Sequence, residues 1–355
     1  MKKAIVIALC LIIGGGALFG VGYAAMNFRL EDINMLGESI TDTYESEESV
    51  KEIEANLSLG DITVEHAEDG KITVEAVGYD NLNFDVSVKD GVLSIVERDQ
   101  RPWWKKIFNI GLVLDVNVKL PADSYDRLNI DNDVGDVQVK GGLTFGNVHI
   151  ESDTSKINMM ASVSAKTEIF SDTGSVFIDS PILGDTRVGN DTGTISLKVC
   201  EAGNLDLSTD TGSVYVKAGT AGDVKVEVDT GSVRIENTEC RDVNVEGDTG
   251  SVIMSNVKAS SLDVQTATGG IKVTESIFGG EARFKSSTGS VSFTGSDASS
   301  IHAETSTGGI YMTLLSEKSF DADSSTGSVS VPNNNSGAKC YLRSSTGSIK
   351  VEYAK

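Results

Sequence analysis

Hydrophobic and polar residues alternate with period two along most of the chain, in short runs broken by a recurring Thr-Gly pair. Alternation of this kind puts the apolar side chains on one face of a β-strand. From Ser171 onward the chain reads SDTGSVFI, NDTGTISL, TDTGSVYV, VDTGSVRI, GDTGSVIM, TATGGIKV, SSTGSVSF, TSTGGIYM, SSTGSVSV and SSTGSIKV. The marker glycines, Gly174 through Gly347, stand 19 residues apart, with 20 at two steps. Ser155 in SDTSKINM and Gly135 in NDVGDVQV carry the phase upstream, giving twelve coil starts. Two residues after every marker stands Val or Ile, and two further on another apolar residue, as in Val214/Val216 and Ile310/Met312. A second strand in each unit shows the same alternation: Leu205/Leu207, Val224/Val226, Val243/Val245, Leu262/Val264 and Ile301/Ala303. The two sets of columns must face each other across a narrow core.

Units of this length with two short strands are shorter than the roughly 40 residues of a propeller blade and lack the Asn or Cys column of a leucine-rich repeat. Stacked coils account for them. The expected fold is all-β: a single-stranded β-solenoid (β-helix) of about 12 coils over residues 132–355, each strand pairing with its equivalent about 4.8 Å along the stack. Positions nineteen apart should therefore lie directly over one another. The Thr-Gly pair falls at the corner between strands, where glycine supplies a positive φ and the Thr column can stack. Residues 50–131 are less regular but still strand-like; their LGDITVE opening reads as a degenerate first coil and the remainder as a β-rich cap.

Ahead of this body, Lys2 and Lys3 precede an uncharged apolar run from Ala4 to Phe28. About 20 apolar residues span a bilayer, so residues 1–28 read as a transmembrane anchor with the lysines cytoplasmic and everything after Arg29 outside. Gly22-Tyr23-Ala24 has the small residues of a cleavage site, so a removed signal segment is the competing reading. Ile7-Ala8-Leu9-Cys10 has Leu where a lipoprotein box needs a small residue. Residues 29–49, with Glu45, Glu47 and Glu48, read as an acidic linker. The expected localisation is single-pass in the cell membrane, with the body extracytoplasmic.

A formal net charge of -22 excludes nucleic acid as a charge-driven partner. The cysteines besides Cys10 are Cys200, Cys240 and Cys340, an odd number; Cys200 and Cys240 lie two repeats apart, too far to bridge, and Cys340 falls on an inward column. Asp-Thr-Gly occurs in five successive coils, which argues against an aspartic protease, because that chemistry needs two carboxylates sharing one proton. Asp172, Asp191, Asp210, Asp229 and Asp248 instead form a row. Each is expected to cap its own turn by accepting backbone N–H groups, as the Ser that replaces it in later coils also could; calcium along this edge is the alternative. His66, His149 and His302 are scattered, and no nucleophile elbow, phosphate loop or CxxC motif occurs. No catalytic residue and no cofactor are expected. Trp103, Trp104, Lys105 and Lys106 combine both tryptophans with basic residues, which suits either membrane or partner contact or an aromatic plug at the end of the stack.

An N-terminal anchor, a GDITVE-type opening, the V-x-V-x-L-P segment at Val116 to Pro121 and the D-T-G-S-V coils together resemble the bacterial β-strand-repeat putative adhesins, a domain family of otherwise unknown function. The resemblance covers roughly residues 50–355. It implies an outward-facing envelope protein, with some relatives beside envelope stress-response genes, and carries over no catalytic residue. The expected function is thus a non-enzymatic, adhesin-like surface module that contacts a cell-envelope component or surface protein. The rival readings are a polysaccharide-active β-helix enzyme, which needs a cleft with convergent acidic and basic groups, and a self-assembling envelope scaffold.

Overall fold

The computed structural model describes residues 39–79, 81–101, 112, 114–334 and 336–354. The apolar N-terminal run, the first part of the acidic segment and the Trp103–Lys106 cluster lie outside these residues. Among the described residues all regular elements are strands, and no helix is long and apolar enough to cross a membrane.

Each coil contributes one strand to each of two parallel walls. In a central coil the strands are Leu205–Thr211, in sheet I, and Val214–Thr220, in sheet II. The first pairs Leu205 with Val224 and Leu207 with Val226; the second pairs Val214 with Val233 and Val216 with Ile235. All eight side chains are buried in one continuous core. Parallel sheets are normally covered on both faces. Here each wall is covered only by the other, which is why the sequence shows clean alternation instead of unbroken apolar runs.

The corner between the strands decides how closely coils can stack. Gly231 has φ 150°, and a Cβ there would run into the carbonyl oxygen of Gly212 in the coil below. The glycine is thus required by the approach of neighbouring backbone as well as by its dihedral. In several coils a small polar side chain three residues before the marker turns inward and donates to the marker carbonyl of the adjacent coil. Asn190 Nδ2 reaches Gly174 O at 2.8 Å, Thr305 Oγ1 reaches Gly289 O at 2.9 Å and Ser344 Oγ reaches Gly308 O at 3.0 Å. One residue after the marker, an outward side chain accepts an N–H from the next coil: Asp136 N donates to Asp61 Oδ1 at 2.8 Å and Lys156 N to Asp136 Oδ1 at 2.9 Å.

At the N-terminal end the strands are β1 (Ser39–Ser46), β2 (Glu52–Leu57), β3 (Asp61–His66), β4 (Ile72–Tyr79), β5 (Leu82–Lys89), β6 (Val92–Asp99), β7 (Asp115–Leu120), β8 (Ser124–Asn132) and β9 (Val137–Val139). The LGDITVE segment does form a coil. Strand β2 stacks on β8 and β3 on β9, with Ile53 opposite Leu128 and Ile62 opposite Val137. This coil is not outermost, because β6 and β7 pair in parallel on its other side. Beyond them the pairing turns antiparallel, with β5 on β6, β4 on β7 and β1 on β4.

The C-terminal end corrects the expectation that positions nineteen apart always overlie one another. Ile301 and Ile310 stack on Cys340 and Ile349 of the last coil in the sequence, and these stack in turn on Phe320 and Val329. The spatial order of the markers is therefore Gly308, Gly347, Gly327. Ser324 Oγ confirms it by donating to Gly347 O at 2.7 Å. The exchange gives the chain's final strands hydrogen-bonded neighbours on both edges, where an outermost terminal coil would have one.

Near this exchanged coil Lys318 Nζ meets Asp297 Oδ1 at 2.7 Å, with the lysine side chain only 5% exposed. Burial alone would raise the Asp297 pKa; hydrogen bonds from Lys318, Ser316 and the Ala298 N–H outweigh it and hold the carboxyl below its ordinary value. Cys340, close by on the inward column, is a buried thiol that desolvation pushes up to about 12.

Two outcomes test this description. Gly231→Ala should lower stability by about 3 kcal/mol in urea unfolding, through clash and positive φ together. Gly70→Ala, where φ is 74° but nothing lies within 4 Å of the added Cβ, should cost only about 1 kcal/mol. Because the folded-state pKa of Asp297 is depressed, the ion pair stabilises the fold above the ordinary carboxylate pKa and loses that contribution as pH falls through the folded value. Lys318→Met should cost about 3 kcal/mol at pH 7 by stranding the carboxylate, and the deficit against wild type should shrink at pH 3. A deficit unchanged with pH would refute the electrostatic account.

Candidate functional site

The two outer faces differ in character because their residues come from different rows of the repeat. Sheet I shows acidic side chains at most levels, including Glu168, Asp206, Glu227 and Glu246, beside the Asp row of the corner. Asp172, Asp191, Asp210, Asp229 and Asp248 are all exposed on this side, one strand spacing apart. None of the five accepts a hydrogen bond from its own turn, in contrast to the expected capping role. The reason is pleat direction: these carboxylates face solvent, and the corner's side-chain hydrogen bonds come in some coils from the inward residue before the Asp, as at Asn190 and Thr209, or from the outward residue after the Gly, as at Ser175 and Ser213. Among the described residues no group of three or more His, Cys, Asp or Glu side chains is placed to hold a metal ion.

The three histidines sit at separate levels, each against a carboxylate. His66 Nε2 is 3.1 Å from Asp123, His149 Nε2 3.7 Å from Glu151 and His302 Nε2 3.0 Å from Glu304. His149 also packs on the Phe170 ring, and His302 on Tyr341 at 4.7 Å between centroids. These contacts contain no nucleophile-and-base pair. Cys200, Cys240 and Cys340 are free thiols.

Sheet II is different. Its outward rows are rich in Ser and Thr, but between the coils of Ser155 and Gly212 they carry Lys156, Phe177, Lys198, Tyr215 and Lys217. Phe177, Ser196 and Tyr215 occupy one row in successive coils. Phe177 is 37% and Tyr215 42% exposed, which leaves two ring surfaces open to solvent with a small residue between them. Lys156 Nζ stands 5.3 Å from the centre of the Phe177 ring. In the next outward row Asp179, Lys198 and Lys217 are register neighbours. Lys198 Nζ bonds Asp179 at 2.8 Å, and that carboxylate holds the ammonium pKa above its usual value. Lys217 has no ion-pair partner among the described residues.

Asp179, Lys198 and Lys217 line a surface groove of about 640 Å³ that crosses coils from Gly141 to Asn237. Gly141 and Gly219 leave its floor low, and Met160, Pro181 and Cys200 line it. A second hollow of about 460 Å³ shares Met160, Asp179 and Lys198 with the first and extends it past Phe177 to Lys156, Asn158 and Gln138. The combined trough is open, runs from coil to coil along the stack, and mixes apolar floor with cationic rim. Sequence reasoning missed it. Aromatic and lysine residues at outward positions of sheet II were readable, but nothing in the sequence marked these ones as neighbours of a groove. The Trp103, Trp104, Lys105 and Lys106 cluster lies outside the described residues.

Solved structures similar to this chain match it at low identity. A putative adhesin from Parabacteroides merdae is 10% identical, with 90% of this chain and 97% of that one covered and a TM-score of 0.35. A putative adhesin from Bacteroides fragilis is 16% identical over 88% and 97% of the two chains, TM-score 0.29. A putative lipid binding protein from Parabacteroides distasonis is 10% identical over 90% and 98%, TM-score 0.29. No curated protein matches the chain. The sequence profile of the family described as Toastrack DUF4097 matches residues 50–218 and 180–280, spans that together cover more than half of the molecule, and the chain belongs to that family.

Proposed function

We propose that this protein is a membrane-anchored, extracytoplasmic and non-enzymatic interaction module of the cell envelope, linked to envelope stress, which engages its partner through the outer face of sheet II. The observation that carries the reading is the trough lined by Phe177, Lys156 and Lys217, with Tyr215 next to its Ser196 in the same row: exposed rings and ammonium groups without an ion-pair partner among the described residues, on a chain whose net charge is -22. Such a surface serves recognition, since aromatic and cationic side chains supply contact area and orientation. A catalytic role is disfavoured because the one carboxylate in the trough, Asp179, is already paired with Lys198. The run from Ala4 to Phe28 behind Lys2 and Lys3 supports anchoring with the body outside.

Two measurements test this. Full-length protein in its host membranes should stay in the pellet after alkaline carbonate extraction; release into the supernatant would point to a cleaved leader. The detergent-solubilised chain should retain cell-envelope material, and Tyr215→Glu with Lys217→Glu should reduce that retention about tenfold, whereas Asp210→Asn with Asp229→Asn should leave it unchanged. Retention abolished by calcium chelation and by the Asp variants, but indifferent to the Tyr215 and Lys217 changes, would move the site to the acidic row of sheet I. Absence of any retention by the wild-type chain would sink the proposal.

A further inference from the structure

The shape and chemistry of the sheet II trough specify more than a generic contact surface. Resting on the interaction role proposed above, we infer that its ligand is a linear anionic glycan lying along the stack across the coils of Ser155 to Gly231.

Four features converge on that class. First, the trough is continuous over successive coils and open to solvent, a shape that suits a segment of extended polymer better than a small enclosed molecule. Second, Phe177 and Tyr215 share a row and are separated by the coil of Ser196. Their rings stand two strand spacings apart, roughly 9–10 Å. That interval is close to the length of one disaccharide in an extended chain, so alternate sugar rings can lay their apolar C–H faces on the two aromatic surfaces. Ser196, between them, leaves room for the intervening sugar.

Third, cations accompany the rings: the Lys156 ammonium lies over the Phe177 ring, 5.3 Å from its centre, and Lys217 stands next to Tyr215. Lys156 is at the Phe177 end, and Lys217 is one outward position beyond Tyr215 on the same strand. Neither ammonium group has an ion-pair partner among the described residues, Glu236 beside Lys217 being held by Arg234, so they can meet carboxylate or phosphate groups carried by the polymer. Lys198, held by Asp179, lies between them in the neighbouring row and keeps the middle of the trough close to neutral. Fourth, hydroxyl and amide side chains stand among the apolar lining. Gln138, Asn158 and Ser196 present donors and acceptors for sugar hydroxyls.

Single-stranded nucleic acid also uses aromatic platforms with cations. It is the less favoured ligand because its closely spaced phosphates would need more positive charge than two free lysines provide, and the rest of the molecule repels them. The chemistry requires an acidic group on the polymer but does not separate uronic acids from phosphate-bearing chains.

Affinity electrophoresis of the full-length chain against immobilised polygalacturonate, poly(glycerol phosphate), neutral dextran and oligo(dT) reads the inference directly. The expected result is retardation by polygalacturonate that weakens about tenfold in Phe177→Ala with Tyr215→Ala and, separately, in Lys156→Gln with Lys217→Gln. Dextran and oligo(dT) should retard the protein far less. Both double variants change exposed side chains, and an unaltered urea midpoint shows that they fold. Retardation by poly(glycerol phosphate) that equals polygalacturonate and ignores the aromatic variant would overturn the inference, because the recognised group would then be phosphate alone. No retardation by polygalacturonate, or strongest retardation by oligo(dT), would overturn it as well. If envelope retention still depends on Tyr215 and Lys217 in either case, the interaction role stands and only the glycan assignment falls. If polygalacturonate binds as expected but no envelope material is retained, the reverse holds.

Discussion

The structure depends on how closely one coil can lie on the next at the Thr-Gly corner. A side chain on the marker glycine would occupy the space held by the carbonyl oxygen of the marker below, as at Gly231 over Gly212. Removing the Cβ lets the two strands of every coil keep ladder spacing through the bend, so both sheets stay in register for the length of the molecule. The carbonyl that this approach turns toward the core would be costly if left without a donor. Asn190, Thr305, Ser344 and Ser324 supply one, each from a position three residues before its own marker. In those coils the corner is a close backbone contact and a buried hydrogen bond acting together.

Once that contact is satisfied, stability is passed between nearest neighbours, and the ends become the exposed part of the design. Both ends use the same device. At each, a coil from near one end of the described chain is held between two others: β2 and β3 lie between the coil of β6 and β7 and that of β8 and β9, and Ala338–Thr346 lies between Val291–Thr307 and Lys318–Thr326. The N-terminal end adds antiparallel strands, which change the hydrogen-bond pattern offered to another parallel coil. At the opposite end the outermost strand carries Asp321 and Asp323, charges that discourage edge-to-edge pairing.

Because core and corner are fixed by inward positions, the outward rows are free to vary, and they have diverged into two unlike surfaces. Sheet I and its Asp row gather much of the negative charge. Sheet II places Lys156, Phe177, Lys198, Tyr215 and Lys217 in and beside the trough, and farther along mixes Ser and Thr with Arg234, Glu236, Lys272, Tyr311 and Lys350. A solenoid of this kind places side chains nineteen apart in sequence next to one another in space. A ligand site can therefore be assembled from a few side chains on one wall, without a dedicated loop or domain.

The period, the two-strand coil, the inward Val and Ile columns and the marker glycines were legible in the sequence, because each reflects a constraint repeated at every level. Even the inward donor could have been read: the first letter of SDTG, NDTG, TDTG and SSTG is Ser, Asn or Thr, with Val228 and Gly247 as departures. The capping role expected of the Asp row failed for a local reason, since pleat alternation sends that side chain to solvent while its neighbours on both sides of the Thr-Gly pair make the bonds. Stacking order at the two ends was not legible. Coils that share one motif fit one another equally well, so the choice of Gly347 over Gly327 as neighbour of Gly308 rests on chain connection and edge protection, which period alone does not encode. The trough was hidden for a related reason: its glycine floor, its proline wall and its lysine rim come from different coils, and only stacking brings them to the same place.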